Sequence, residues 1–143
     1  MIEYITINQK PENGCIKFDL LKNYDYIGLV DITFNGIQFS GRTYTVIDMV
    51  VDEIDKTAYN PHRLFSRFLY NYCKSSRFYK TEFNPIQWKK LDSTDKQLNM
   101  KFYDEYGEPV KFRTYRSSNG TILYDQLQIT IALADNSPPE IIR

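Results

Sequence analysis

The sequence has few of the residue patterns by which enzymes and metalloproteins are recognised. It contains one histidine, His62, and two cysteines, Cys15 and Cys73, which lack the CxxC spacing of metal sites. It has no phosphate-binding glycine loop, no HExxH and no GxSxG motif. Catalysis by His62 would need an activated nucleophile and an orienting carboxylate, and no local motif supplies them. We therefore expect a protein that is not an enzyme and that holds no cofactor and no metal ion.

Long hydrophobic runs are also absent. No apolar run approaches the roughly 20 residues that a membrane span needs, and Met1 to Tyr4 lack the basic and apolar regions of a secretory signal. Two cysteines are too few for a disulfide framework, which favours free thiols in a reducing compartment. We expect synthesis in the cytoplasm or nucleus and no membrane partner.

What the chain has in quantity is aromatic residues. Its 143 residues include 12 Tyr, 9 Phe and 1 Trp, with 42% hydrophobic and 25% charged residues overall. This length and balance predict one globular domain over residues 1–143. Tyrosine is favoured in strands and at interfaces, so the aromatic content is compatible with a thick β core and with a wide partner surface.

Alternation of apolar and polar residues is the main structural signal. It occurs in the segments 16–20, 26–34, 98–102 and 127–133. Asn-Gly pairs, which favour tight hairpin turns, occur at 13–14, 35–36 and 119–120. The pattern predicts an all-β chain that forms an antiparallel β-sandwich of seven or eight strands with jelly-roll-like connections.

One segment departs from this alternation. Asn60 and Pro61 are suited to the N-cap and the first position of a helix. Apolar residues follow at helical spacing, namely Leu64, Phe65, Phe68, Leu69 and Tyr72. The sequence therefore predicts one short helix near residues 61–74.

Charge is segregated although the chain as a whole is neutral. Residues 61–90 carry 7 basic and 1 acidic residue, whereas residues 1–60 carry 5 and 9. Cations interleaved with aromatic rings can bind single-stranded nucleic acid, because bases stack on rings while cations follow the phosphates. The candidate nucleic-acid residues are Arg63, Arg67, Lys74, Arg77, Lys80, Lys89, Lys90 and Trp88. The same residues would also serve as core, as an ordinary solvated face or as a protein-protein surface.

A second cluster is acidic and comprises Asp48, Asp52, Glu53 and Asp55. A calcium loop of the EF-hand type needs a central glycine, and the window from Asp48 to Tyr59 contains none. We expect these residues to form a solvated strand end.

Two stretches resemble a known family. Tyr26-Ile27-Gly28-Leu29-Val30-Asp31-Ile32 is similar to the Val-Gly-Leu-x-Glu-Ile pattern of an early strand in the single jelly-roll minor capsid (penton-type) proteins of polinton and maverick elements and of virophages. The second stretch resembles the last hairpin of that family: residues 98–102 are followed by Asp104, Gly107, Pro109-Val110 and Phe112, and the closing strand is 127–133. The resemblance implies a capsid jelly roll that associates with itself, most simply in a five-fold ring, and with other capsid proteins in a virion.

We therefore expect a non-enzymatic structural or assembly protein, a homo-oligomer of the capsid jelly-roll type. The alternative is a β domain that binds single-stranded nucleic acid through the basic-aromatic segment 61–90. A third hypothesis is a glycan-binding β-sandwich, supported by exposed tyrosines and Trp88.

Overall fold

The computed structural model describes residues 2–9, 11–35, 46–69, 78–92, 96–110, 114–116, 118–124 and 126–136. These residues form ten β-strands: β1 (Ile2–Asn8), β2 (Cys15–Asp19), β3 (Tyr26–Asn35), β4 (Val46–Val51), β5 (Leu64–Leu69), β6 (Phe78–Lys90), β7 (Gln97–Tyr103), β8 (Thr114–Arg116), β9 (Ile122–Tyr124) and β10 (Gln126–Ala134). In this part of the chain there is no helix with the length and apolar character needed to cross a membrane.

Eight of the strands form two antiparallel sheets. Sheet A has the order β1-β10-β3-β6 and sheet B has the order β2-β7-β4-β5, while β8 and β9 form a separate hairpin. Strands that are consecutive in the chain occupy matching positions in the two sheets: β1 with β2, β3 with β4, and β6 with β5. This order is that of a jelly roll, in which two Greek keys are combined. The prediction of an all-β, jelly-roll-like sandwich is therefore confirmed.

The core lies between the sheets and is built by the predicted alternation. In β10 the buried residues Leu127, Ile129, Ile131 and Leu133 alternate along the strand. Sheet B contributes a similar series from β7, consisting of Leu98, Met100 and Phe102, all at most 1% exposed. Both series belong to one hydrophobic cluster, as expected when each sheet buries one face against the other.

The predicted helix near residues 61–74 is wrong, because residues 64–69 form strand β5 and residues 70–74 lie outside the described residues. The Asn60 side chain accepts a hydrogen bond from Leu64 N at 2.8 Å and donates one to Leu64 O at 2.9 Å. It therefore pairs with the backbone as a neighbouring strand would, and does not cap a helix. Arg63 has a φ of 57°, which is outside the helical region. The chain consequently leaves the turn extended and pairs with β4.

The Asn-Gly turns behave as predicted where they are described. Asn13 and Gly14 have φ values of 54° and 72°, in the left-handed region that such a turn requires. Gly120 has a φ of 84°, in the turn that joins β8 to β9. Gly36, in the third pair, lies outside the described residues.

The turn after β7 is stabilised by a buried carboxylate. Asp104 is 2% exposed, and its Oδ1 accepts hydrogen bonds from the backbone N of Tyr106 and of Glu108, both at 2.9 Å. Gly107 has a φ of 78°, so it takes the left-handed position predicted from the sequence. These contacts give residues 104–109 a defined conformation beside sheet B.

Candidate functional site

The basic residues of the segment 61–90 are divided between the two sheets. Arg63 donates a hydrogen bond from Nε to Ile54 O at 3.1 Å, before the start of β5. Arg67 lies in β5 and donates two hydrogen bonds to the carboxylate of Asp48 in β4, at 2.6 and 3.1 Å. These hydrogen bonds and the negative charge of Asp48 raise the pKa of the Arg67 guanidinium. In sheet B the arginines therefore have partners within the domain.

The other candidate nucleic-acid residues lie elsewhere. Lys80, Trp88, Lys89 and Lys90 belong to β6 of sheet A, whereas Lys74 and Arg77 lie outside the described residues. The structure thus does not bring Arg67 and the lysines of β6 onto the same sheet. Strands β5 and β6 nevertheless contact each other at one edge of the sandwich, where Ser66 Oγ donates a hydrogen bond to Gln87 Oε1 at 3.4 Å.

Trp88 is packed onto the outer face of sheet A. It pairs with Gly28 across the β3–β6 ladder. A Cβ at Gly28 would lie 2.5 Å from Ile86 Cγ2 and 2.9 Å from Trp88 Cε3. Ala132, the neighbour of Gly28 in β10, is fully buried. Gly28 and Ala132 therefore form a shallow floor, and the partly buried Trp88 ring packs against this floor at Gly28.

Two polar atoms on sheet A are buried without a hydrogen-bond partner among the described residues. They are Asp31 Oδ1 and Trp88 Nε1. Strand β6 has a large bulge close to both atoms. Leu29 of β3 pairs with Gln87, but Asp31, only two residues further along β3, pairs with Glu82. Residues 83–86, which include the cis Asn84–Pro85 peptide bond, are thus inserted opposite a single residue of β3.

Three of the four carboxylates in the acidic cluster, those of Asp48, Asp52 and Glu53, have partners. Asp48 binds Arg67, and Asp52 forms an ion pair with Lys101 at 2.8 Å. Glu53 is only 7% exposed, so the prediction of a solvated strand end is wrong for this residue. Its carboxylate accepts hydrogen bonds from Asn99 N and Nδ2, at 2.5 and 3.0 Å. Burial is tolerated because the chain leaving β4 turns the carboxylate against the backbone of β7.

Few of the described side chains suit metal binding or nucleophilic chemistry. Across the described ranges, no group of three or more His, Cys, Asp and Glu side chains could hold a metal ion. His62 is exposed in the turn that precedes β5. Burial raises the pKa of the Cys15 thiol, which disfavours the reactive thiolate. Cys73 lies outside the described residues.

The two sheets end in four edge strands with different protection. On sheet A, β6 carries Pro85 and the bulge, which both disfavour pairing with another strand. On sheet B, β2 and β5 carry Lys17 and Arg67 at their edges. Strand β1 of sheet A is seven residues long and has no proline and no basic residue. Its one charged side chain, Glu3, accepts a hydrogen bond from the Tyr24 hydroxyl. Among the described residues, strand β1 is therefore the edge with the fewest features that oppose pairing.

A concave region of mixed polarity lies on the outer face of sheet B. It has a volume of about 590 Å³ and is here called the sheet B groove. Its floor follows β4 and β5, with Gly107 at one end and the turn before β5 at the other. The lining residues are Asp48, Val50, Asp52, Tyr59, Asn60, Pro61, His62, Leu64, Arg67, Tyr103 and Gly107. Sequence reasoning grouped Asp48 with the acidic cluster and Arg67 with the basic segment, whereas folding pairs them on one floor.

Comparison of this chain with protein-family models, with curated proteins and with solved structures found no match in any of the three.

Proposed function

We propose that the chain is a non-enzymatic assembly protein that associates with copies of itself, in the manner of the capsid jelly-roll proteins that its sequence resembles. The strand order supports the proposal, because jelly rolls are a common architecture of viral capsid domains. Strand order alone is an analogy between folds. The observation that carries the proposal is the outer edge of β1, with which no other described strand pairs.

An edge strand presents unpaired backbone N–H and C=O groups to any chain that can add to the sheet. Among the described residues, β1 pairs with β10 on one side and with no strand on the other. The exposed ring of Tyr4, which is 61% accessible, lies in the middle of this edge. Backbone hydrogen bonds would set the orientation of the two strands, and Tyr4 would add apolar contact area between the two copies.

Molar mass from light scattering, measured from micromolar to millimolar protein, tests the proposal. We expect the mass to rise above that of one chain, and we expect Tyr4→Lys to return it toward the monomer because a lysine on an edge opposes pairing. Gln128→Lys is the matched control. Gln128 is exposed in the central strand β10, so this substitution adds the same charge away from the edge. A mass of one chain at every concentration, or equal effects of both variants, would contradict the proposal.

Single-stranded nucleic-acid binding is the competing function, and its test is independent of assembly. If the basic residues of segment 61–90 contact phosphates, oligonucleotide affinity must fall steeply as salt rises. We expect no measurable binding of a single-stranded oligonucleotide at low salt. Binding with a steep salt slope, lost in Lys89→Ala/Lys90→Ala, would favour the nucleic-acid function over the assembly function.

A further inference from the structure

The sheet B groove has a chemical character that the assembly proposal does not use. The charged side chains of its floor are paired with opposite charges, and tyrosine rings lie at its ends. Its volume lies within the range of small-molecule sites. We propose that this groove binds a neutral carbohydrate, with Tyr59 and Tyr103 contacting the sugar rings and the Asp48–Arg67 pair hydrogen-bonding the hydroxyl groups. The inference does not depend on self-association.

The floor of the groove selects against charged ligands. Asp48 and Arg67 neutralise each other through two hydrogen bonds, and Asp52 is neutralised by Lys101. An anion such as a phosphate would therefore meet a guanidinium that is already held by a carboxylate. A cation would likewise meet carboxylates that already have cationic partners. The ligand best matched to this floor is polar and uncharged.

The paired side chains retain hydrogen-bonding capacity of both signs. A guanidinium has five N–H donors, and a carboxylate has about four acceptor positions. The pair in the groove uses two donors, at Arg67 Nε and Nη2, so further donors and acceptors remain side by side in one plane. Adjacent hydroxyl groups, each of which both donates and accepts, are the groups that such a plane satisfies. The Arg67 side chain is 60% exposed, so it is accessible from solvent.

Tyrosines at both ends of the floor supply apolar contact. Tyr59 is fully exposed, and Tyr103 is half-buried beside Asp48 in the adjacent strand. Exposure leaves the Tyr59 ring accessible to a ligand, and a flat ring with a polar tip suits a ligand that has both C–H and O–H surfaces. The aromatic rim thus favours a sugar over a purely hydrophilic ligand.

The turn that carries Tyr59 has a defined backbone. Asn60 N donates to Thr57 O at 3.1 Å and to Thr57 Oγ1 at 3.0 Å. The Asn60 side chain is bound in turn to the backbone of Leu64. The backbone on which Tyr59 stands is therefore organised before binding, which lowers the entropy cost of ordering the site.

The length of the floor fits a short oligosaccharide better than one monosaccharide. The part of β4 from Asp48 to Val51 extends for roughly 10 Å at the usual rise of a strand. Groove-lining residues continue beyond both ends of this part, at Gly107 and at the turn that carries Tyr59. Contacts at several points along the chain of sugars would then add to a useful affinity although each contact is weak.

A glycan array with neutral, sialylated and sulfated oligosaccharides tests the proposal, followed by calorimetric titration of the best neutral ligand. We expect binding to at least one neutral oligosaccharide and little dependence on salt. Tyr59→Ala is expected to weaken binding by roughly tenfold, since an aromatic contact of about 1.5 kcal/mol corresponds to such a factor. Arg67→Met is expected to weaken it by a similar or larger factor, because the variant keeps the length of the side chain and removes the donors.

Tyr106→Ala is the matched control. Tyr106 is 76% exposed on the neighbouring turn but does not line the groove, so its removal should leave the affinity within about twofold. Circular dichroism of each variant verifies that the fold is retained. Three outcomes would overturn the proposal: no neutral glycan bound, equal affinities for the wild type and Tyr59→Ala, or binding confined to anionic glycans. Each can be distinguished from a failure of the assembly proposal, because that proposal is tested on β1.

Discussion

The outer faces of the two sheets are covered in different ways. On sheet A, Gly28 and Ala132 leave room for the Trp88 ring, which lies directly on the backbone. On sheet B, the corresponding outer face carries the Asp48–Arg67 pair and an open groove. Side chains of the domain cover the first face around Gly28, whereas the second face leaves polar groups accessible. The comparison indicates that the outer face around Gly28 is used for packing within the domain, whereas the outer face around Asp48 and Arg67 keeps polar groups accessible to other molecules.

The largest effect should come from filling the space beneath Trp88. In Gly28→Val the new side chain would collide with Ile86 and Trp88, because even a Cβ would lie 2.5 and 2.9 Å from their atoms. We expect the free energy of unfolding to fall by about 3 kcal/mol, the upper part of the range for overpacking. Urea denaturation followed by fluorescence measures this change.

The double variant Gly28→Ala/Ile86→Ala provides the control for a local collision. If the contact is the cause, the second substitution should recover part of the loss that Gly28→Ala produces alone. A Gly28→Val protein as stable as the wild type would contradict the packing of sheet A described above.

The next effect concerns the end of β4, where the chain leaves the face of sheet B. Glu53→Ala would leave Asn99 N and Nδ2 without their carboxylate partner in a largely buried place. We expect a loss of about 1–3 kcal/mol in the free energy of unfolding. The neighbouring Asp52→Ala is the control, since it removes a half-exposed ion pair and should cost less than about 1 kcal/mol. Equal losses for the two variants would show that burial does not distinguish these carboxylates.

Features of the two faces that depend on residues close together in the sequence could be predicted, whereas features that depend on contacts between distant residues could not. The strands at 98–102 and 127–133 were predictable, because one buried face imposes strict alternation on neighbouring residues. β5 was not, since Leu64 and Phe65 fit a helical stripe equally well and the deciding contact is the Asn60 side chain with the Leu64 backbone. Trp88 could not be placed on Gly28 from the sequence, because the register depends on the bulge of β6.

The sheet B groove could not be predicted from the sequence either. Its lining residues come from β4, from the turn before β5, from β5 itself and from the end of β7. Segment charge suggested a basic surface, but charge counted along the chain does not reveal which residues pair across strands. Asp48 and Arg67 are 19 residues apart and directly opposite each other in the ladder.

A pH-dependent effect is expected at the corner of sheet A, where Tyr24 contacts β1. The hydrogen bond to Glu3, then burial, then the charge of Glu3 raise the pKa of Tyr24 to about 12 from its usual 10. The folded state therefore holds a proton that the unfolded state has lost in this interval. The contribution of Tyr24 to stability should be complete below pH 10 and should disappear as the pH rises from 10 to about 12.

Tyr24→Phe should have a free energy of unfolding that changes less over this interval than that of the wild type. Urea denaturation at several pH values between 9 and 12 measures the difference between the two proteins at each pH. A difference that is the same throughout would mean that Tyr24 does not keep its proton through the contact with Glu3.

The smallest effect on stability should arise on the open face, at the Asp48–Arg67 pair. The Arg67 side chain is well exposed, and exposed ion pairs contribute about 0–1 kcal/mol, so Arg67→Met should change the free energy of unfolding by no more than that amount. Urea denaturation in low and in high salt measures the difference in free energy of unfolding between the wild type and Arg67→Met. This difference should become smaller in high salt, because salt screens the ion pair. The comparison of the two faces is sharpest here, because removing an ion pair with two hydrogen bonds from sheet B should cost less than filling the space between one glycine and one tryptophan on sheet A. A loss of several kcal/mol in Arg67→Met would mean that the pair holds β4 and β5 together. The polar floor of the groove would then serve to stabilise the fold. A loss near zero would leave the pair free to bind a ligand without cost to the domain that carries it.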